Sequence, residues 1–200
     1  MVIPVTTEKQ QYCYEVKTSS DDKEVALEIL LGASGTTYLD NIYMYEANKT
    51  MNGNFTNEVT GYEFYIDDAA NATYAVDELT EGGALGFTIN NIADSDDSIQ
   101  LVQKNLRLEK GKTYTIQFDG KTDLNRDVKI EVKKDGEDIS YSGEAIHGLS
   151  KGYRTYSHTF TMEEETDNNA VVVIFLGKIN DNTTKKTHVV YLDNINLLEE

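Results

Sequence analysis

The chain has 200 residues and a formal net charge of −17, from 18 Lys and Arg against 35 Asp and Glu. Holding phosphate needs a basic stripe, so this balance excludes a nucleic-acid partner and an anionic membrane surface. The longest apolar run, Ala170 to Leu176, is seven residues, against about 20 for a membrane span.

In chain order, the opening Met-Val-Ile-Pro-Val-Thr-Thr has neither the charged region nor the apolar core of a signal peptide. Cys13 is the sole cysteine, so no internal disulfide can form. Val25, Leu27, Ile29 and Leu31 alternate with period 2 and predict a strand. The same alternation recurs in Tyr114, Ile116, Phe118 and in Val128, Ile130, Val132. Turn residues punctuate these runs at Gly82-Gly83, Asp94 to Ser98, Lys110-Gly111, Asp135-Gly136 and Asp167-Asn168-Asn169. No long window carries a helical stripe. Short strands at such spacing predict an all-β, antiparallel sandwich.

The chain also repeats itself. Tyr38-Leu39-Asp40-Asn41-Ile42 returns as Tyr191-Leu192-Asp193-Asn194-Ile195, and Glu28-Ile29-Leu30-Leu31-Gly32 aligns with Val173-Ile174-Phe175-Leu176-Gly177. Nothing before residue 11 corresponds to residues 50–150. The reading is therefore a C-terminal fragment of one module at 1–46, a linker at 47–51 and a whole module at 52–200. The fragment supplies about three extra N-terminal strands. Since a small isolated sheet is marginal in water, residues 1–46 are expected to pack on the whole module or to mediate self-association.

Within the whole module an ordered set of short motifs stands out. They are Asn52-Gly53-Asn54-Phe55, Gly61-Tyr62, Gly83-Ala84-Leu85, and Ile99-Gln100-Leu101 with Gln103. Leu108 to Phe118, Phe160-Thr161-Met162, Leu176-Gly177 and Tyr191 to Ile195 follow. This set resembles the family 4/9/22-type carbohydrate-binding modules attached to secreted glycoside hydrolases. The resemblance implies a jelly-roll β-sandwich whose concave sheet holds a single polysaccharide chain, of β-glucan or xylan type. It also implies a linked glycoside hydrolase, an extracellular bacterial location and a structural calcium ion.

Carried onto this chain, the resemblance places stacking aromatics at Tyr65 and Tyr141 and polar ligand contacts at Gln100, Lys104 and Glu131. A sugar groove needs flat apolar faces flanked by amides and charges. Each position also has a plainer use: the tyrosines in packing, Gln100 on an edge backbone group, Lys104 and Glu131 as a surface ion pair. The calcium positions map to Asn54, Gly83 and Asp193, where oxygen donors would suit a hard cation; Asp193 could instead cap a turn. One departure bears on the ligand. Val171, Val173 and Phe175 are apolar where the resemblance puts polar groups facing the cleft, and the chain has no Trp. A structural or adhesive spacer without glycan binding is the alternative.

Catalysis finds little support. His147, His158 and His188 adjoin no nucleophile motif, and no Gly-x-Ser-x-Gly, His-Glu-x-x-His or Glu-x-Asp-x-x-Glu occurs.

Overall fold

The computed structural model describes residues 7, 27–32, 35–39, 48–77, 83–181 and 183–200. The chain divides into two units, Met1–Ala47 and Asn48–Glu200. In the first, residues 27–32 and 35–39 lie in no strand, so the strand expected from Val25 to Leu31 is absent over its described part. The other strands expected before residue 47, most of the repeated Tyr38 to Ile42 motif and the self-association surface lie outside the described residues.

The second unit is built from ten strands: β1 Tyr62–Ile66, β2 Asn71–Asp77, β3 Ala84–Asn91, β4 Ile99–Leu108, β5 Thr113–Thr122, β6 Arg126–Lys134, β7 Ala145–Leu149, β8 Arg154–Thr161, β9 Asp167–Phe175 and β10 His188–Glu199. They form two five-stranded antiparallel sheets, ordered β1-β4-β9-β6-β7 and β2-β3-β10-β5-β8. This is the expected jelly-roll β-sandwich. Its one helical turn among the described residues is a 3-10 turn at Asp96–Ser98.

Alternation decides which side chains meet between the sheets. In β5 the inward positions Tyr114, Ile116 and Phe118 are fully buried while their neighbours reach the outer face. Strand β9 departs from that pattern because it is buried on both sides. Ala170, Val172, Ile174 and Leu176 join the main core. Val171, Val173 and Phe175 form a second cluster with Val102 and Ile179. The seven-residue apolar run is thus one strand serving two clusters.

Two expectations change here. Asp167-Asn168-Asn169 is the start of β9, not a turn; the Asp167 carboxylate accepts the Asn169 N–H at 2.8 Å and holds this end of the strand. Residues 48–51, expected as a linker, belong to the sandwich. Asn48 bridges Leu198, Thr50 Oγ1 donates to the Ile195 carbonyl at 2.9 Å, and the buried Gln103 amide closes both hydrogen bonds with the Met51 backbone, at 2.8 and 2.7 Å. A buried amide that satisfies both of its groups on one residue fixes that residue strongly.

A buried clasp orders the far end. Arg126 donates to the carbonyls of Leu176 and Gly177 at 2.7 and 3.0 Å, and its Nη1 meets His188 Nε2 at 2.8 Å. Burial pulls the guanidinium down to about 10, against the neighbouring Asp127, and it also lowers the His188 imidazole.

Candidate functional site

The outer face of the β1-β4-β9-β6-β7 sheet gathers most of the residues singled out in the sequence. Strand pairing sets Tyr65 opposite Gln100, Gln100 opposite Phe175, Phe175 opposite Lys129, and Lys129 opposite Ile146. These five residues form one row across all five strands, spanning four inter-strand steps of about 4.8 Å, roughly 19 Å. The next row runs Glu63, Val102, Val173, Glu131. Lys133 sits opposite Val171 beyond it.

The row has exposed ends and a covered middle. Tyr65 is 50% exposed and Ile146 52%, whereas Phe175 is only 5% exposed. Val171, Val173 and Phe175 point outward from the main core, as the resemblance implied. Their burial comes from long neighbours in register on β4 and β6, whose apolar stems can lie over the β9 side chains. Lys129 shows this directly. Its Nζ lies 4.1 Å from the Phe175 ring centroid and pairs with Asp96 at 2.5 Å and Glu144 at 2.9 Å. Burial opposes the ammonium charge, but the two carboxylates outweigh it and raise the pKa. Lys129 therefore ties the turn before β4 to the segment leading into β7, across the middle of the face.

Gln100 donates Nε2 to the Asp97 carbonyl at 2.7 Å, which leaves its Oε1 as an acceptor. Lys104 pairs with Glu63 at 3.0 Å and Asp135 at 3.8 Å, not with Glu131. Those carboxylates, Glu63 first, raise its pKa. The side chain of Glu131 is 8% exposed, and its nearest cation, Lys133, stands at 4.0 Å, too far for a hydrogen bond. A carboxylate so placed keeps acceptor capacity for a hydroxyl donor.

Tyr141 stands elsewhere. Its N–H returns to the Val132 carbonyl at 2.8 Å, its ring packs against the main core, and its hydroxyl donates to Asp167 at 2.7 Å. Burial and that carboxylate push the phenol pKa well up. Tyr141, mapped as the second stacking aromatic, thus lies half-buried against the main core and away from the Tyr65 row.

The three segments mapped for calcium meet around residues 53–55. The Gly53 carbonyl accepts the Ile195 N–H at 3.0 Å, and a Cβ on Gly53 would strike the Ile195 carbonyl. Gly83 takes φ +83°, and a Cβ there would come within 3.3 Å of the Phe55 carbonyl. The Asn54 side chain accepts from Thr56 Oγ1 at 3.1 Å. Asp193 accepts the Asn194 N–H at 2.7 Å, and burial, with Asp119 opposite, pushes its carboxyl up to about 6. Among the described residues no three His, Cys, Asp or Glu side chains cluster as a metal site. Any cation held here would rely mainly on carbonyls, with Asp193 as the charged donor.

Lys129, Asp96, Glu144 and Ile146 are among the members of this face not singled out as ligand contacts. Lys129 was readable, since it interleaves with Val128 and Ile130 as Glu131 does. Asp96 and Glu144 were not, because they lie on irregular segments without a period.

Residues 47–185 match the model of the family described as carbohydrate binding domain, of the CBM4/9 type. The chain belongs to this family of carbohydrate-binding modules. Among solved structures it is similar to a CBM4 module, with 21% identity, a TM-score of 0.61, and 73% of this chain and 91% of that one covered. It is also similar to the N-terminal cellulose-binding domain of Cellulomonas fimi β-1,4-glucanase C, with 20% identity, a TM-score of 0.53, and coverage of 70% and 89%. A third is TmCBM61 in complex with β-1,4-galactotriose, with 14% identity, a TM-score of 0.53, and coverage of 78% and 100%. At these identities the structures establish the fold alone. None of the curated proteins matches the chain. The family points to a non-catalytic binding domain, and no helix among the described residues is long and apolar enough to cross a membrane.

Proposed function

We propose that the Asn48–Glu200 unit binds a single neutral polysaccharide chain, of β-glucan or xylan type, along the Tyr65–Ile146 row. The observation that carries this is the row itself: an exposed aromatic at one end, an exposed aliphatic at the other, and amide, ammonium and carboxylate groups between. Tyr65 would stack on a sugar's C–H face. Gln100 Oε1 and Glu131 would accept from hydroxyls, and Lys104 and Lys129 would donate to them. In its parent protein the module would raise the local concentration of a linked, secreted glycoside hydrolase at its polymer.

Calcium is part of the same proposal. Asp193 would supply the charged oxygen beside the carbonyls of the 53–55 segment and Gly83, and the ion would clamp the ends of the unit together.

A second reading, a structural spacer, is favoured by one observation: Phe175, Val173 and Val171 are covered, so Tyr65 is the one well-exposed aromatic of the face among the described residues. Affinity electrophoresis of the full chain in gels containing β-glucan, xylan or mannan separates the two. Binding predicts retardation by one polymer, lost in Tyr65→Ala. Free migration of the folded protein in every gel would establish the spacer.

A further inference from the structure

The outer face of the other sheet carries a second row. Strand pairing sets Ala75 opposite Gly86, Gly86 opposite Tyr191, and Tyr191 opposite Lys121. Tyr153 immediately precedes Arg154, which pairs with Gly120, so Tyr153 extends the row beyond Lys121. Lys121 Nζ sits between two rings, 4.3 Å from the Tyr153 centroid and 4.6 Å from that of Tyr191. Such cation–π contacts hold an ammonium in place without neutralising it.

An open cavity of about 370 Å³ lies here, lined by Lys121, Thr122, Asp123, Lys151 and Tyr191. Neither Lys121 nor Lys151 has a carboxylate partner among the described residues. Asp123, Asp119 and Asp193 are committed to the backbone and to neighbouring strands, and Asp193 and Asp77 also stand near Tyr153. Asp123 accepts the Val189 N–H at 2.8 Å, and Asp119 accepts from Thr155 Oγ1 at 2.5 Å and Asn194 Nδ2 at 2.9 Å. In a chain of net charge −17, two adjacent unpaired lysines on a shared cavity wall are conspicuous. Lys104, Lys129 and Lys133, on the opposite sheet, all have carboxylates within 4.0 Å.

We propose that this cavity is a second saccharide site, selective for a sugar that carries an anionic substituent, a uronate carboxylate or a sulfate ester. Lys121 and Lys151 pair with the anion by charge-assisted hydrogen bonds. The exposed parts of Tyr191 and Tyr153 take the ring's C–H face. The Tyr191 ring edge lies over Gly86, where a Cβ would come within 3.1 Å of it, so the bare glycine seats the ring beside Lys121. That the ligand is a saccharide rests on the carbohydrate-binding reading; the anion selectivity rests on the two lysines alone.

The test is a backbone-amide NMR titration of the full chain with trigalacturonate, with a sulfated galacto-oligosaccharide, and with neutral galactotriose. One of the acidic probes is expected to shift the signals of Lys121, Lys151 and Tyr191 saturably. Its binding should weaken about tenfold in Lys151→Gln, a substitution on an exposed loop, and likewise in Lys121→Gln. It should also weaken in roughly 0.5 M salt, and it should be unchanged in Tyr65→Ala. The acidic probe that binds more tightly identifies the anion. Binding by neither, equal binding of the neutral trisaccharide, or loss in Tyr65→Ala would overturn the proposal. Retention of lysine-dependent acidic binding by a protein that ignores every neutral polymer would overturn the Tyr65 row instead.

Discussion

The two outer faces of this sandwich are built from the same strand geometry yet treat their lysines in opposite ways. On the β1-β4-β9-β6-β7 face, three lysines lie beside an apolar strand and are met by carboxylates; Lys129, the most buried, is held by Asp96 and Glu144. On the β2-β3-β10-β5-β8 face, Lys121 is held by two tyrosine rings and meets no carboxylate partner among the described residues. The contrast follows from what lies beneath. An apolar stripe such as Val171, Val173, Phe175 needs cover, and a lysine stem provides it only if its head finds counter-charges nearby. On the second face the Tyr191 ring covers Gly86, and Lys121 rests on that ring and on Tyr153 instead of on carboxylates. Neutralised lysines suit hydroxyl recognition, and an unpaired one suits an anion.

The largest effect expected on that contrast comes from Phe175→Ala. If the stripe is a true second core, calorimetric or denaturant unfolding should lose about 3 kcal/mol; a loss within about 0.5 kcal/mol would mean that Phe175 behaves as a surface residue. Lys129→Met comes next. It keeps the apolar cover of Phe175 but leaves Asp96 and Glu144 facing each other, with an expected cost of about 2 kcal/mol, measured by the same unfolding curves.

Asp193→Asn tests the calcium clamp. The Asp193 carboxyl, pushed up to about 6, binds its proton more tightly in the folded chain than in the unfolded one. The resulting stability is present at low pH and is lost as pH rises through about 6. With chelator at pH 7.5, Asp193→Asn should therefore be more stable than the parent by about 1 kcal/mol, discounted for partial exposure. Added calcium should raise the melting temperature of the parent above pH 6 and leave that of the variant unmoved. An equal response in both would remove Asp193 from the clamp.

How much of this was legible in the sequence depended on whether a residue sat in a strand. Period 2 marked Tyr114, Ile116 and Phe118 as strand residues, and the resemblance put Val171, Val173 and Phe175 towards the cleft; the structure buries the first three in the main core and sets the others in the second cluster. The covering of the outward set was not legible, because it comes from Ile179 and from neighbours in register on two other strands. The place of Tyr141 was not legible because the segment after Asp135-Gly136 has no period; bonds from its N–H to Val132 and from its hydroxyl to Asp167 hold it. Asp167 to Asn169 carried turn residues, yet side-chain bonds from Asp167 turn them into a strand start. The Lys121 clamp was missed for a similar reason: Tyr153 lies 32 positions away from Lys121 in the numbering, and only the pairing of β5 with β8 brings them together.

The smallest expected change in stability, and the largest in function, belongs to Tyr65→Ala. An exposed edge-strand tyrosine should cost at most about 0.5 kcal/mol in unfolding. The most direct measurement of the central claim is a chemical-shift titration of the full chain with the neutral oligosaccharide that matches the retarding polymer. The account predicts perturbed amides at Tyr65, Gln100, Lys129 and Ile146, in one row, and their loss in Tyr65→Ala. Perturbations confined to other residues, or none at all with a folded protein, would contradict it.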